Sequence, residues 1–489
     1  MNKEVNLGAD SRTRILEGIN KVCDSAEITL GPKGRNVTID RGPGVLPVIT
    51  NDGVSIAREI TFKDRYLDMG ASIAKSVAED VNDEAGDATT TSLILTKAIA
   101  NAGVKYVKES GDIKTKESLE ESTTNVLEQL DKMSRKIDSD EDIIRIATYS
   151  SENEELGKLI ASTIKDIGTD GVILVEESYT GKNYVEKVKG MNVESGVIHP
   201  VFSRNEVSIE YNGIPILITD QTISSWSQIE PLIGKLLQGG QQSLVIIAED
   251  IEGEALTALA MNMQQGRIKV LPIKAPSVGD NMYNLLEDIA VLTNGTFVSK
   301  KSGFRLEEIN PNALGLVEKI KAKKKETIII SNSNKEGVDK RIVSLKEQIK
   351  EEEADFDKDK IKERIAKLKG GVASLKIASN SETNSKYLRD KIEDAISSTR
   401  SAIEEGVVVG GGIALKNCVL GNTIGDKILK AALIKPFNIL NKDILESELV
   451  KVIDPVKAIK AAVKYASSAA GTFLTTGGSI SLFNDKDGK

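Results

Sequence analysis

Short runs of β-branched and aliphatic residues alternate with stretches of helical periodicity through the middle of the chain. The runs lie at residues 171–175, 214–218, 243–248, 270–273 and 327–330, and the helical stretches at 226–238, 252–265 and 281–293. This alternation predicts an α/β domain. Before residue 165 and after residue 386 the apolar spacing is that of amphipathic helices. The chain is therefore predicted to combine helical and α/β domains, and 489 residues suffice for roughly three domains of about 150 residues.

Two smaller features are predicted within this pattern. Residues 37–39 and 48–50 predict two short strands joined by a Gly-Pro turn. Residues 336–369 are highly charged and predict an antiparallel helical hairpin with an acidic turn near Asp355–Asp359. Its charges favour a solvated face with ion pairs four residues apart.

Composition excludes several classes of function. Aromatic residues are only 4% of the chain, so the core must be aliphatic, and the net charge of −8 argues against a general nucleic-acid binder. Two cysteines, Cys23 and Cys418, exclude a disulfide framework, and the single histidine, His199, excludes a histidine-rich metal site. The N-terminus has no apolar signal region and no window is long enough to span a membrane, so we expect a cytoplasmic protein.

The segment Gly86-Asp87-Ala88-Thr89-Thr90-Thr91 opens a predicted helix and carries the strongest chemical signal. A helix N-terminus has free N–H groups and partial positive charge, so it binds phosphate, and the threonine hydroxyls add donors. The adjacent Asp87 would suit Mg²⁺, which prefers a few carboxylate oxygens together with phosphate and water. The alternative is an ordinary helix cap formed by Asp87 or a threonine.

Four further segments carry weaker signals. Thr29–Gly34 is a Gly-Pro loop that lets the backbone approach a phosphate, or a plain turn. Asp52, within Asn51-Asp52-Gly53, could meet a metal or water, or form an Asx turn. Asp394 lies beside the apolar face of a helix predicted over 388–404, and Gly410–Gly412 form either a close backbone approach or a hinge or cap. None of these segments is a Walker A or a G-x-G-x-x-G sequence.

Taken together, these segments are far more specific than any one of them. The set comprises TLGPKGRN (29–36), TNDGVSIAREI (50–60), NDEAGDATTT (82–91), IAEDIEGEAL (247–256), KAPSVGD (274–280), GGVASLKI (370–377), EDAISSTRSAIEEGVVVGGG (393–412) and IDPVKA (453–458). It resembles a group I chaperonin of the GroEL-like family, in divergent and shortened form, from about residue 5 to 475. The resemblance implies a helical equatorial domain (1–132 and 405–489), a small intermediate domain (133–188 and 373–404) and an α/β apical domain (189–372).

The resemblance also implies a site for ATP and Mg²⁺ in the equatorial domain. The implied nucleotide contacts are Thr29, Leu30, Gly31, Pro32, Asp87, Ala88, Thr89, Thr90, Thr91, Gly410, Gly411 and Asp454, with Asp87 as the Mg²⁺ ligand. Asp394, supplied by the intermediate domain, would position the attacking water, with Asp52 assisting. Carboxylate, Mg²⁺ and backbone N–H groups are the parts that phosphoryl transfer needs, because it depends on positioning and charge stabilisation.

The resemblance further implies partners and movement. Rings of seven subunits, single or double, would bind non-native polypeptide and a GroES-like co-chaperonin through an apolar groove of the apical domain. The matching positions are Val197, Val201, Phe202, Ile233, Leu256, Ala260 and Met261, and the alternative is that these are core residues. Gly190, Gly371 and Gly406 fall at the family's hinges, where glycine absorbs backbone rotation. Neither nucleic acid nor membrane is expected as a partner.

This chain departs from the family at four places. Ala88 replaces the second glycine of the phosphate motif, and we expect the site to tolerate it unless its φ is positive. Asn51 replaces a lysine, which leaves K⁺ dependence open. The stretch from Asn441 to Asp454 is short and lacks the segment that contacts adenine, and Asn438 replaces an arginine of the contact between rings. Glu230 replaces an apolar groove residue, and the chain ends without a Gly-Met-rich tail.

The sequence therefore predicts an ATPase that drives protein folding in a ring cavity. The first alternative is an assembly or scaffold protein of the same fold with weak or no ATPase activity, which the altered base pocket and the lost tail would suit. A small-molecule kinase is a second alternative, although the sequence offers no acceptor site.

Overall fold

The computed structural model describes residues 2–7, 9–31, 33–137, 139–168, 171–178, 180–188, 190–203, 208–352, 354–369, 372–379 and 382–483. Up to residue 167 the elements are β1 (Asn2–Leu7), α1 (Ala9–Glu27), β2 (Val37–Ile39), β3 (Val48–Thr50), α2 (Gly53–Glu59), α3 (Arg65–Ala85), α4 (Thr89–Ser110), α5 (Asp112–Met133), α6 (Asp140–Ser151) and α7 (Glu154–Ile167).

The middle of the chain contains most of the strands. Its elements are β4 (Val172–Glu177), β5 (Tyr184–Val188), β6 (Gly190–Val193), β7 (Ile209–Thr219), β8 (Thr222–Ile223), α8 (Glu230–Gln238), β9 (Ser243–Ala248), β10 (Asp250–Ile251), α9 (Gly253–Gln264), β11 (Lys269–Lys274), α10 (Gly279–Thr293), β12 (Phe297–Val298), β13 (Gly315–Ala322), β14 (Thr327–Ile330), α11 (Lys335–Glu351), α12 (Asp355–Lys369) and β15 (Val372–Ile377). Short 3₁₀ helices lie at Pro200–Phe202, Trp226–Gln228, Lys300–Ser302, Leu306–Glu308 and Pro311–Ala313.

The C-terminal part is again mostly helical. It comprises α13 (Glu382–Glu405), β16 (Val407–Val409), α14 (Ile413–Lys416), α15 (Ile424–Leu433), α16 (Lys435–Leu440), α17 (Glu446–Leu449), β17 (Ile453–Pro455), α18 (Val456–Leu474) and β18 (Gly478–Phe483). Among the described helices, none is long and apolar enough to cross a membrane.

The chain divides into two compact units. Unit 1 comprises Met1–Ser162, Val175–Tyr184 and Lys376–Lys489, and unit 2 comprises Thr163–Leu174 and Val185–Leu375. Unit 2 contains the predicted α/β segment, and unit 1 most of the predicted helices. The three-domain division drawn from the resemblance stays a prediction.

Unit 1 is built around an aliphatic helical core. Residues of α1, α3, α4, α5, α15 and α18 form one buried cluster. On α1, Ile15, Ile19 and Val22 follow the predicted helical spacing and are all buried. Gly18 of α1 and Gly70 of α3 let these helices touch, since a Cβ on either would lie 2.0 Å from a carbonyl oxygen of the other helix. The core therefore depends on small side chains as well as on apolar ones.

Unit 2 is organised by a seven-stranded mixed sheet in the order β11-β9-β7-β13-β14-β6, with β12 beside β7. Strands β7, β9 and β11 are parallel, whereas β13 is antiparallel to β7 and to β14. Alternate residues of β9 enter two different cores: Val245 and Ile247 join the cluster that includes α10 and α11, and Leu244 and Ile246 join the cluster with α8 and α9. Helices therefore cover both faces of the sheet, which confirms the predicted α/β architecture.

The helical hairpin is confirmed, but its predicted turn is wrong. Helix α12 begins at Asp355, so the acidic stretch up to Asp359 opens this helix and the connection is shorter and earlier. Acidic residues in a first helical turn are favourable because of the helix dipole. The hairpin is fixed to α10 by Asp288, which is fully buried and accepts hydrogen bonds from Arg341 and Arg364 at 2.7–2.9 Å.

Candidate nucleotide site in unit 1

The first turn of α4 has no side-chain cap. Gly86 ends α3 with φ of +64°, and Ala88 occupies the N-cap position of α4. Within the described part of the chain no side chain caps this turn, so the alternative of an ordinary cap by Asp87 or a threonine is not realised. The first three N–H groups of α4 and the positive end of its dipole therefore remain available to an anion.

We expected the candidate site to tolerate alanine at position 88 unless φ at this residue is positive, and the structure shows that it is positive. The φ of Ala88 is +65° and its ψ is 19°, in the left-handed region that glycine occupies without strain. A Cβ there approaches the carbonyl oxygen of its own backbone unit and costs about 1–2 kcal/mol. The loop that carries Asp87 is thus strained at the residue that follows this carboxylate.

Asp87 lies between the start of α4 and helix α13. Its Oδ1 accepts the Ala88 N–H at 2.5 Å, and the Ser398 hydroxyl of α13 also interacts with its carboxylate. Burial raises the pKa of Asp87, and the nearby charge of Asp52 raises it further. A Cβ added to Gly86 would lie 2.4 Å from Ser397 Cβ, so α13 packs directly on this loop.

Asp52 belongs to the same group. It caps α2, with its carboxylate accepting the N–H groups of Val54 at 3.3 Å and Ser55 at 2.9 Å. A Cβ on Gly53 would lie 2.7 Å from Thr90 Oγ1 and 2.9 Å from the Thr90 nitrogen. The Asp52 loop therefore contacts the first turn of α4. Asp52 both caps α2, in keeping with the turn alternative, and lies close to the candidate site.

Asp394 is brought to this group by α13. It is partly buried, and burial, followed by the charges of Asp52 and Asp87, raises its pKa well above the usual range. The sequence interpretation missed Asp390, which lies one helical turn earlier and whose pKa burial and the charge of Asp52 raise to about 6. A spacing of four residues on a helix places two side chains on one face, and this signal could have identified it. Ser398 shares this spacing, four residues after Asp394, but its contact with Asp87 could not be predicted from it.

The predicted Thr29 loop reaches α4 from the other direction. Thr29 is buried, its hydroxyl donates to the Ala26 carbonyl oxygen at 2.8 Å, and it lies 3.4 Å from Thr90 Oγ1. Gly31 follows with φ of +77°. Leu30 is partly buried, and Pro32 lies outside the described residues.

Gly410, Gly411 and Asp454 form the last predicted part of the site. Strand β16 pairs with β17 so that Val408 lies opposite Asp454, and a Cβ on Gly410 would lie 2.7 Å from Asp454 Oδ1. The Gly411 N–H donates to the Asp454 carboxylate. Burial raises the pKa of Asp454 to about 7, and the charge of Asp87 contributes to the rise.

These residues fit a phosphate-bound divalent cation better than a protein-only metal cage. Among the residues that the structure describes, no group of three or more His, Cys, Asp or Glu side chains could hold a metal ion by itself. Mg²⁺ is typically held by one or two carboxylates together with phosphate and water. The uncapped helix terminus beside Asp87 supplies the protein's share of such a site, and the neighbouring carboxylates repel one another without a cation.

The positions predicted to bind polypeptide collect around one core of unit 2. Phe202 and Ile233 are buried, with exposed fractions of 2% and 4%. Val197, Val201, Leu256 and Ala260 are partly buried and pack against the same cluster. Met261 is 52% exposed. The seven positions thus share one region, but only part of the set is open to solvent in this chain.

The hinge glycines differ in their surroundings. Gly406 has φ of +91°, and a Cβ there would lie 2.5 Å from the Arg135 carbonyl oxygen. Gly190 opens β6, where a Cβ would lie 2.6 Å from both the Ile329 oxygen and a Val372 methyl. Gly371 lies outside the described residues.

Comparison with known proteins gives one family and one fold. The model of the TCP-1/cpn60 chaperonin family matches residues 22–419. The structure is similar to that of the chaperonin gp146 from the bacteriophage EL 2 (Pseudomonas aeruginosa) in the presence of ATP-BeFx, with TM-scores of 0.69 in crystal form II and 0.60 in crystal form I. In both cases the identity is 19%, and 98% of this chain and 99% of that chain are covered. The chaperonin fold expected from the sequence is thereby confirmed.

Proposed function

Since this chain belongs to the TCP-1/cpn60 chaperonin family, we propose that it is an ATPase that uses nucleotide binding and hydrolysis to fold non-native polypeptides. The observation that carries the proposal is the convergence, in unit 1, of three carboxylates on the uncapped start of α4. Asp52, Asp87 and Asp394 come from three different elements that lie far apart in sequence. Carboxylates held together in this way lower the stability of the folded protein when no ligand is bound, and such a departure is expected at a ligand-binding site.

The proposed site binds ATP mainly through backbone groups. The first N–H groups of α4, from Thr89 to Thr91, donate hydrogen bonds to the phosphate oxygens, with the threonine hydroxyls as further donors. The backbone of Thr29–Gly31 and Gly410–Gly411 flanks the nucleotide, with Pro32 and Asp454 completing the proposed contacts. Glycine at these positions lets the backbone come close, since a Cβ on Gly410 would already meet Asp454.

Hydrolysis is assigned to the carboxylates. Mg²⁺, held by Asp87 when bound, would supply positive charge to the phosphate oxygens. Asp394 orients the attacking water and accepts its proton, and Asp52 assists from the neighbouring loop. Burial and the charges of Asp52 and Asp87 raise the pKa of Asp394, and this makes its carboxylate a stronger base than an ordinary aspartate.

Asp394→Ala tests the catalytic assignment. We expect ATP binding to persist and turnover to fall about 10²-fold or more, as is typical when a general base is removed. Glu404→Ala is the matched control, because Glu404 lies on the same helix but pairs with Lys457 at 2.6 Å. Turnover equal to that of the wild type in Asp394→Ala would remove the assignment.

The scaffold alternative predicts a different set of results. The strain at Ala88 is the observation that favours it, since a distorted phosphate loop would weaken nucleotide binding. Negligible ATPase activity in the wild-type protein, with no recovery of a denatured client enzyme, would support the scaffold role. Hydrolysis together with ATP-dependent recovery of the client would exclude it. Transfer of phosphate to a small metabolite would instead identify a kinase.

Client binding is assigned to unit 2. The proposed surface is formed by Val197, Val201, Phe202, Ile233, Leu256, Ala260 and Met261, and a GroES-like co-chaperonin would compete for it. Flexible aliphatic and methionine side chains suit promiscuous recognition. Exposure of the buried members of this set would require local rearrangement. The proposed movement is about Gly190, Gly371 and Gly406, between equatorial (1–132, 405–489), intermediate (133–188, 373–404) and apical (189–372) domains.

Ring assembly is supported by two small sheets of unit 1. Strands β1 and β18 form one two-stranded sheet and β2 and β3 another, and within the described residues each has free edges. Leu46, in the β2–β3 connection, is 69% exposed, and Val5 and Ile480, opposite each other in the other sheet, are 59% and 61% exposed. Two-stranded sheets are marginal alone, so pairing with a second copy would stabilise them.

Native mass with and without Mg-ATP measures the assembly. A mass of about fourteen subunits supports a double ring, and a mass of about seven supports a single ring, in line with the shortened segment before Asp454. A monomer under both conditions would contradict folding in an enclosed cavity.

A further inference from the structure

Helix α6 is held against the two strands that lead to Gly410 and carry Asp454. Its Ile146 is buried in one cluster with Val407 of β16 and Ile453 of β17. The chain just before α6 pairs with β16 as well, since the Arg135 and Val407 backbones exchange two hydrogen bonds of 2.9 Å. Helix α6 and the residues that precede it are therefore attached to this strand pair by apolar packing and by backbone hydrogen bonds.

Arg145 adds a polar contact beside the apolar one. This residue precedes Ile146 on α6, and its guanidinium donates a hydrogen bond to the Lys451 carbonyl oxygen. The two residues are 306 positions apart in sequence, so the contact forms only in folded unit 1. Lys451 lies two residues before β17, in the shortened segment between Asn441 and Asp454. A cationic side chain thus joins α6 to the chain immediately before Asp454.

The Lys451 contact lies next to two hydrogen bonds of the candidate site. The Gly410 N–H donates to the Val452 carbonyl oxygen at 2.8 Å. The Gly411 N–H donates to the Asp454 carboxylate. Both acceptors lie within three residues of Lys451 in sequence. A shift of this short stretch would therefore change both hydrogen bonds and the positions of three proposed nucleotide contacts.

Asp142, in the first turn of α6, strengthens the attachment of this helix. Its carboxylate accepts hydrogen bonds from both terminal nitrogens of Arg135, at 2.8 and 3.0 Å, and its charge interacts with that of Arg145. A bidentate arginine–carboxylate pair fixes geometry as well as contributing energy. The start of α6 and the arginine that contacts Lys451 are therefore parts of one group of charged side chains.

We propose that Arg145 is a positioning residue for the nucleotide: by holding Lys451, it keeps Asp454 in place and makes nucleotide affinity depend on the attachment of α6. The proposal rests on the proposed ATPase function and adds a residue that acts through the backbone, without itself contacting the ligand. A site that is ordered before binding loses less conformational entropy when the ligand arrives, so its affinity is higher. By linkage, a bound nucleotide strengthens the attachment of α6 by the same factor.

Arg145→Met tests the proposal in the full-length protein, because it removes the donor and keeps an apolar stem. We expect the Kd for Mg-ADP and the KM for Mg-ATP to rise about three- to tenfold, as for the loss of one hydrogen bond, with kcat within about twofold of the wild type. Hydrogen exchange at the Gly411 amide should become faster. Arg145→Lys keeps a charged donor and should recover part of the affinity.

Arg12→Met is the matched control. The Arg12 guanidinium also donates to a distant backbone carbonyl oxygen of unit 1, that of Thr476, at 2.8 and 3.2 Å. Thr476 belongs to none of the segments that form the candidate site. Nucleotide affinity and exchange at the Gly411 amide should therefore be the same in Arg12→Met as in the wild type.

Each contrary result contradicts a different step. An unchanged Kd in Arg145→Met, or an equal rise in both methionine variants, would overturn the positioning role. A lower kcat with an unchanged Kd would also overturn it, because Arg145 would then affect hydrolysis and not binding. A wild-type protein that binds no Mg-ADP would refute the proposed ATPase function itself, and exchange at the Gly411 amide would still show whether Arg145 holds the Asp454 strand.

Discussion

Replacement of Ala88 by glycine should leave the protein as stable or make it more stable, although alanine-to-glycine changes normally destabilise. Ala88 has φ of +65° at the start of α4, and its side chain packs partly buried against the core of unit 1. Ala98, further along the same helix, is also partly buried against that core but lies in the helix interior. Ala98→Gly is therefore the matched control.

The magnitudes separate the two variants. Release of the left-handed alanine contributes about 1–2 kcal/mol. The greater freedom of glycine in the unfolded chain lowers the free energy of unfolding by about 0.4–1 kcal/mol. Loss of a half-buried methyl group lowers it by about a further 0.4 kcal/mol. For Ala88→Gly the expected change in the free energy of unfolding is thus about +0.5 kcal/mol, within roughly 1 kcal/mol. Ala98→Gly loses the same methyl group and about 1 kcal/mol of helix propensity.

The difference between the two variants is about 1.8 kcal/mol and is readily measured. Urea unfolding followed by far-ultraviolet circular dichroism gives the stabilities, and hydrogen exchange of the Ser92 amide, which donates to the Ala88 carbonyl oxygen at 2.9 Å, locates the effect. If Ala88→Gly loses as much stability as Ala98→Gly, Ala88 is not in the left-handed conformation and the strain argument fails.

Three further predictions address the carboxylates and the assembly. Asp454 has its pKa raised to about 7 in the folded protein, so the folded state holds its proton more tightly than the unfolded state. The wild type should therefore lose stability relative to Asp454→Asn as pH rises from about 4 to about 7, by at most about 4 kcal/mol, with no relative change above about pH 8. A difference between the two proteins that stays constant across this range would contradict the assignment. Asp288→Ala strands two arginines and should destabilise unit 2 by about 3–5 kcal/mol in unfolding curves followed by the single tryptophan, whereas Glu287→Ala, at a side chain 41% exposed, should cost less than about 1 kcal/mol. Leu46→Asp should lower the native mass to that of smaller assemblies, because it places a charge on an exposed apolar side chain of the β2–β3 connection. Leu445→Asp, at a leucine that is equally exposed but lies outside this connection, should leave the native mass unchanged. An unchanged native mass in Leu46→Asp would exclude the β2–β3 connection from the interface.

Periodicity predicted the elements whose apolar pattern is visible without knowledge of the elements that they pack against. Helix α1 buries the residues that its own spacing selects, and β9 is apolar at every position that enters a core. Strand β13 was not predicted, because its charged side chains find their ion-pair partner only when the strand lies in the sheet. Lys321 lies opposite Glu210 on β7, and Lys319 and Lys321 both pair with that glutamate at 3.4–3.5 Å. The pairing of β1 with β18, from opposite ends of the chain, left no local trace at all.

The candidate site followed the same division. That the Asp87 segment opens a helix could be predicted, because this depends only on one loop and the residues that follow it. The sign of φ at Ala88 could not, since a left-handed alanine is set by the surrounding fold rather than by its neighbours in sequence. The four-residue spacing from Asp394 could have identified Asp390, whereas its proximity to Asp52 could not be predicted, because Asp52 comes from another part of the chain.

The departures from local rules concentrate at this one site. Ala88 has a left-handed backbone, α4 begins without a side-chain cap among the described residues, and Asp87, Asp394 and Asp454 are partly buried with raised pKa values among like charges. In unit 2, by contrast, the fully buried Asp288 is satisfied by two arginines and needs nothing more. Unfavourable features that persist together are expected where a ligand relieves them. An anion would satisfy the free N–H groups of the helix terminus, and a cation would offset the repulsion among the carboxylates, whereas neither ion relieves the backbone strain at Ala88. The first two features support the proposed nucleotide with its metal over a purely structural role.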